Sequence, residues 1–177
     1  LVTDKFLREN PGVKPIARIE GWGHRTAGLG IEQKFEFSAD NPYIMPHVKQ
    51  TVDQAFARAG VTLADIHGLE THDCFSASEY MAIDHIGLTA PGESWRAIDD
   101  GSIQMGGRLP INPSGGLIGG GHPVGATGVR MIVDAAAQVS GQAGAMQVEG
   151  ASRFATLNFG GSTATTACFV VGTVPTH

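Results

Sequence analysis

The chain has 177 residues, 42% hydrophobic and 16% charged, which is enough for one domain with a real core and too apolar for a disordered tail. Twelve Lys and Arg against 17 Asp and Glu leave a net charge of −5 with no basic stripe, which excludes a nucleic-acid surface. No apolar run approaches the roughly 18 residues of a spanning helix, and two cysteines without a Cys-x-x-Cys are too few for a disulfide scaffold or a cysteine zinc site.

In chain order, residues 1–12 read as the end of a helix closed by Pro11-Gly12, and 13–177 as the domain proper. The chain starts at Leu1 without an initiator Met, so it is expected to be part of a longer polypeptide. Alternation over 16–20 predicts a strand, followed by a loop containing Gly21, Gly23, Gly28 and Gly30. Val48, Val52, Ala55, Phe56 and Ala59 share one face of a helix from Pro46 to Gly60. Residues 66–71 read as a short strand running into His72-Asp73-Cys74-Phe75-Ser76. Ser76 with Glu79 has the form of a capping box, which starts a helix at about Ala77 that Gly87 ends. A long loop over 88–121 holds Pro91, Pro110, Pro113 and nine glycines, and a loop of that length is usually functional. A helix over 123–137 opens on a first-turn proline, with Gly125, Ala126 and Gly128 small enough for close backbone approach. Residues 154–158 and 165–171 read as two strands joined through Gly160-Gly161. This alternation predicts a layered α/β/α domain on a mixed, mostly parallel sheet of five strands, one of them within the long loop, with the closing pair antiparallel.

Two constellations carry chemistry. Cys74 lies at the carboxyl end of a strand and just before a helix, where open sheets place ligands and where dipole and imidazole favour thiolate. The alternative is an inert buried thiol. Asp73 is read as a cap for backbone amides. His122, framed by Gly119-Gly120-Gly121 and Pro123-Val124-Gly125-Ala126-Thr127-Gly128, is either an exposed neutral base at a helix N-terminus or a packing histidine. The glycines match neither dinucleotide nor P-loop spacing. Cys168 falls mid-strand and reads as core, and His24, His47, His67, His85 and His177 as solvated or satisfied. His72, Asp73, Cys74 and His122 offer metal-ligand types, but adjacent residues rarely converge on one ion, and no metal is expected.

His72-Asp73-Cys74-Phe75, Asn112-Pro113-Ser114-Gly115-Gly116 and Gly121-His122-Pro123-Val124-Gly125-Ala126-Thr127-Gly128 together resemble the C-terminal half of a thiolase. The His-Asp-Cys-Phe wording is similar to the sterol-carrier-protein X type. The resemblance implies the second of two packed α/β halves and acyl transfer between an enzyme cysteine and coenzyme A, in lipid and fatty-acid metabolism. It implies that His122 activates the nucleophilic cysteine, that Cys74 moves the α-proton, and that His72 and His122 form an oxyanion hole. The backbone N–H of Gly160 would serve a second hole, with Asn158, Gly121, Pro123 and Phe75 lining the site. Asn158 stands where ordinary thiolases carry an acid/base cysteine, so Cys74 would take over that role. The nucleophilic cysteine would come from an N-terminal half, in the same polypeptide or as a separate chain. Further implications are acyl-CoA and CoA as substrates with no permanently bound cofactor, a homodimer or tetramer, and a cytoplasmic location, peroxisomal in a eukaryote. Two other readings stay open: a thiolase-like aldol lyase acting on steroid or other acyl-CoA side chains, and a non-catalytic lipid or acyl-CoA carrier subunit.

Overall fold

A computed structural model describes residues 1–174. Four strands, β1 (Arg18–Thr26), β2 (Leu69–Thr71), β3 (Arg153–Gly160) and β4 (Thr165–Gly172), form one sheet in the order β1-β4-β3-β2. β4 runs antiparallel to both β1 and β3, whereas β2 and β3 are parallel. Three strands therefore share a direction, yet the expected mostly parallel pairing does not follow, because β4 is inserted between β1 and β3. The expected fifth strand shrinks to one parallel bridge, Leu69 to Ile111. Pro110 and Pro113 bracket that bridge, and neither has an N–H with which to extend a ladder.

β1 extends well beyond the predicted segment, through Gly21 and Gly23, which glycine content had marked as loop. Both glycines lie under helix α3 (Pro46–Ala59), where a Cβ at Gly23 would overlap the Thr51 carbonyl and one at Gly21 the Ala55 carbonyl. They are close-approach residues within a strand, which sequence alone does not separate from turn glycines.

Helices cover both faces. α3 and α4 (Ser76–Ile86) pack on Ala155, Leu157, Phe159, Cys168 and Val170, while α7 (Thr127–Val139) packs on Phe154 and Val171 from the other side. Residues alternating along β3 thus face opposite layers. α1 (Asp4–Glu9) buries no residue, and α2 (Ile31–Ser38), which no periodicity announced, buries none either. The long loop contains α5 (Ser94–Asp99) and α6 (Gly116–Gly120).

Two helix starts differ from expectation. α4 begins at Ser76 itself with Phe75 as its cap, so the Ser76–Glu79 box does not form. The Glu79 carboxylate is taken by Asn112 instead, and a true box closes at Thr62 and Asp65. α7 begins at Thr127, because residues 123–126 close into a turn in which Ala126 N–H donates to the Pro123 carbonyl.

Candidate active site

β2 delivers the His72-Asp73-Cys74 loop, and the Asn112–Gly116 stretch straps it down. Thr71 N–H donates to Asn112 Oδ1 at 2.8 Å, and Asn112 Nδ2 donates to Glu79 Oε2 at 2.8 Å. Ser114 donates from its backbone N–H and its hydroxyl to the buried Glu70 carboxylate, at 3.2 and 2.6 Å. Asp73 Oδ1 accepts from Leu117 N–H at 2.6 Å, so its capping role holds, though the amide comes from a distant segment. Gly116, at φ +61°, passes so close to the Asp73 carboxylate that a Cβ would overlap it. Burial pushes the Glu70 carboxyl up to about 7, opposed by the Ser114 hydrogen bonds.

His122 follows α6 directly, with Gly121 (φ 92°, ψ 161°) as the turning point. His122 does not sit at a helix N-terminus, since α7 starts five residues later, beyond the reach of its dipole. Its tautomer is set by hydrogen bonding instead. Thr127 Oγ1 lies 2.7 Å from His122 Nδ1 and donates its own hydrogen to the Pro123 carbonyl at 3.3 Å. The hydroxyl oxygen is then the acceptor, Nδ1 carries the proton, and Nε2 keeps a lone pair. The His72 ring meets the His122 ring edge to face, with centroids 4.8 Å apart and an interplanar angle of 87°. Burial first, then the neighbouring His122, holds the His72 pKa below the usual histidine range, so His72 is neutral at pH 7. Its Nδ1 is buried without a hydrogen-bond partner among the described residues.

One cavity of about 620 Å³ is lined by His72, Cys74, Phe75, His122, Asn158 and Gly160. Three segments distant in sequence therefore meet there. Gly121 and Pro123 lie outside the lining; they act on His122 from behind, through the turn and the Pro123 carbonyl.

Residues 31–173 match the family described as thiolase C-terminal domain-like. The chain belongs to this family. This thiolase C-terminal domain is 43% identical over 116 residues to an acetyl-CoA acetyltransferase of Methanothermobacter thermautotrophicus, covering 66% of the chain and 30% of the relative. It is 40% identical over 112 residues to sterol carrier protein 2 of Gallus gallus, covering 63% and 20%. In fold it superposes on the Ltp2-ChsH2(DUF35) aldolase with a TM-score of 0.75 at 24% identity, over 91% of this chain and 40% of that one. The thiolase domain thus spans less than half the length of these relatives.

Sequence reading of the thiolase domain missed Ile31 and Lys34 of α2, and the Ser162–Thr163 tip of the β3–β4 hairpin, all of which line the cavity. Nothing in their local pattern marks them, since α2 has no buried face. Cys168 is fully buried, and desolvation pushes its thiol up to about 12. Of the other described histidines, His24, His67 and His85 are satisfied or solvated, whereas His47 keeps its Nδ1 buried without a hydrogen-bond partner among the described residues. His85 lies between Asp84 and Met45 N–H, His47 donates to the Thr163 carbonyl, His67 accepts from Arg153 N–H, and His24 is exposed. His177 lies outside the described residues. A second cavity, about 720 Å³ beside Arg108 and Pro110, contains none of the candidate catalytic groups.

Proposed function

We propose that this chain supplies the proton-transfer and oxyanion-binding half of an acyl-CoA thiolase. The observation that carries this reading is the meeting of a neutral imidazole, a tautomer-fixed imidazole and a thiol, His72, His122 and Cys74, on one cavity. In the cleavage direction, His122 Nε2 takes the proton of a nucleophilic cysteine, whose thiolate attacks the 3-keto carbon of a 3-ketoacyl-CoA. The bond between C2 and C3 breaks, leaving an acyl group on the cysteine and an acetyl-CoA enolate. The His72 and His122 N–H groups stabilise the enolate oxygen, and the Cys74 S–H protonates its carbon to release acetyl-CoA. Coenzyme A then gives its thiol proton to the Cys74 thiolate and its sulfur attacks the acyl group, whose carbonyl oxygen is held by the Gly160 amide. The bond to the nucleophilic cysteine breaks, and that sulfur takes back the proton held on His122. Claisen condensation reverses these steps, and the scheme requires no permanently bound cofactor.

The nucleophile comes from an N-terminal half, in the same polypeptide or as a partner chain, of which residues 1–12 are the trailing segment. The helix α7 supports this. Met131 and Ala135 are buried against the sheet while Val129 and Val133, on its other side, are 65% and 59% exposed. A helix apolar on both sides belongs between two layers, and the domain provides only one.

The test uses the complete protein. Cys74→Ala should slow exchange of substrate α-hydrogens with deuterated solvent by about 100-fold or more, as expected for loss of a general acid–base group, while acylation of the nucleophile persists. His122→Ala should suppress both steps. Wild-type exchange in Cys74→Ala, or loss of only one step in His122→Ala, refutes the assignments. An aldol lyase or a lipid carrier would bind a CoA thioester without forming a cysteine-bound acyl group, so absence of that intermediate in the wild-type protein refutes the thiolase reading itself.

A further inference from the structure

The wall of the cavity formed by Gly160, Gly161, Ser162 and Thr163 is a turn that its own sequence does not favour. Ala164 N–H donates to the Gly161 carbonyl at 2.9 Å, and the two central residues, Ser162 and Thr163, have φ of 51° and 57°. That is the pattern of a type I′ hairpin, whose left-handed positions select Asn-Gly. A β-branched threonine at positive φ is a genuine outlier. Strain of this kind persists only where surrounding contacts over-determine it, and it gathers at ligand sites.

Two side chains from separate elements supply those contacts. Lys34 Nζ, on α2, donates to the Ser162 carbonyl at 2.6 Å and to the Leu29 carbonyl at 3.1 Å. His47, in the first turn of α3, donates from Nε2 to the Thr163 carbonyl at 2.7 Å. Burial holds the His47 pKa below the usual histidine range, with His85 and Lys34 acting in the same direction and the Thr163 carbonyl opposing. The ring is therefore neutral and has one N–H, which it uses here. α3 is itself tied to β4 by Thr51 and Thr166, whose hydroxyls lie 2.8 Å apart, so the His47 side of the clamp rests on the sheet.

We propose that Lys34 and His47 are positioning residues: they hold the 161–164 turn, and through it the end of β3 with the peptide between Phe159 and Gly160, at the orientation in which the Gly160 amide N–H faces an acyl-enzyme carbonyl. The inference rests on the acyl-transfer reading above. It adds a lysine and a histidine that touch no reacting atom but set the second oxyanion site.

The experiment compares two half-reactions in the complete protein. Lys34→Met should slow acylation of the nucleophile about tenfold, the scale of one lost charge-assisted hydrogen bond. KM for the CoA thioester and the rate of α-hydrogen exchange, which depends on His72, His122 and Cys74, should stay within about twofold. Amide hydrogen exchange should quicken across the 161–165 turn and not in α7. Lys34→Arg should retain the wild-type rate. The decisive variant adds Ser162→Asn and Thr163→Gly to Lys34→Met: a turn that prefers the left-handed geometry needs no clamp, so acylation should recover. Unchanged acylation and turn exchange in Lys34→Met overturn the proposal, as do equal slowing of both half-reactions or failure of the Asn-Gly turn to restore the rate. A wild-type protein that forms no acyl-enzyme refutes the thiolase reading, and turn exchange in Lys34→Met then still decides whether the clamp exists.

Discussion

Glu70 lies two residues before His72, fully buried, and holds Ser114 of the strap across the His72–Cys74 loop. Arg130 Nη1 is 3.7 Å from its carboxylate but is shared with Asp134 and Ser114, so burial prevails and the carboxyl rises from 4.5 to about 7. A carboxyl raised in the folded state contributes stability that is complete below its unfolded value and is lost as pH rises through its folded value. The window is therefore 4.5 to about 7. At about 1.4 kcal/mol per pH unit, the whole change is on the order of 3 kcal/mol. Glu70→Gln removes that ionisation and keeps the shape. Urea unfolding of the complete protein and of Glu70→Gln, taken from about pH 4 to about pH 8, should show the variant gaining about 3 kcal/mol on the wild type across the range. Histidines titrating in the same interval are present in both proteins and fall out of the difference. A difference that stays flat with pH, or one in which the wild type gains, refutes the argument that burial outweighs the Arg130 pairing.

Two further outcomes follow from the site. Thr127→Val removes the acceptor that fixes the His122 tautomer and leaves a ring N–H unpartnered, at a cost of about 1–3 kcal/mol. Stopped-flow acylation should fall about tenfold or more, with Thr127→Ser retaining the rate; full activity in the valine variant refutes the tautomer assignment. Of the two described thiols, iodoacetamide at about pH 8 should label Cys74, on the cavity, and spare Cys168 until the protein is denatured. Peptide mass mapping that finds Cys168 modified in the native state contradicts its burial.

Much of the fold was legible because its signals are local. The 3.6-residue periodicity of α3, the glycines ending α3 and α4, and the closing antiparallel strands all emerge as read. Departures occur where one residue type serves two physical purposes. Gly21 and Gly23 suited a loop but admit a helix against a strand. Ser76 and Glu79 matched a capping box, but Asn112, from the opposite side of the site, captured the glutamate. Pro123 suited a helix start, yet the chain uses it one turn earlier, where its carbonyl engages Thr127.

Placement at a strand end and in a glycine frame singled out His72, Cys74 and His122, while Asn158 and Gly160 came only from the resemblance to thiolases. That such positions share a cavity, that Cys168 does not, and that Lys34 and His47 hydrogen-bond the turn in its wall were decided by folding alone. Periodicity and capping depend on neighbours a few residues away, whereas the bonds that shape this site, such as Leu117 to Asp73 or Lys34 to Ser162, join residues 44 and 128 positions apart. Contacts at that range leave no local pattern, so only the packed sheet and its helices bring them into register.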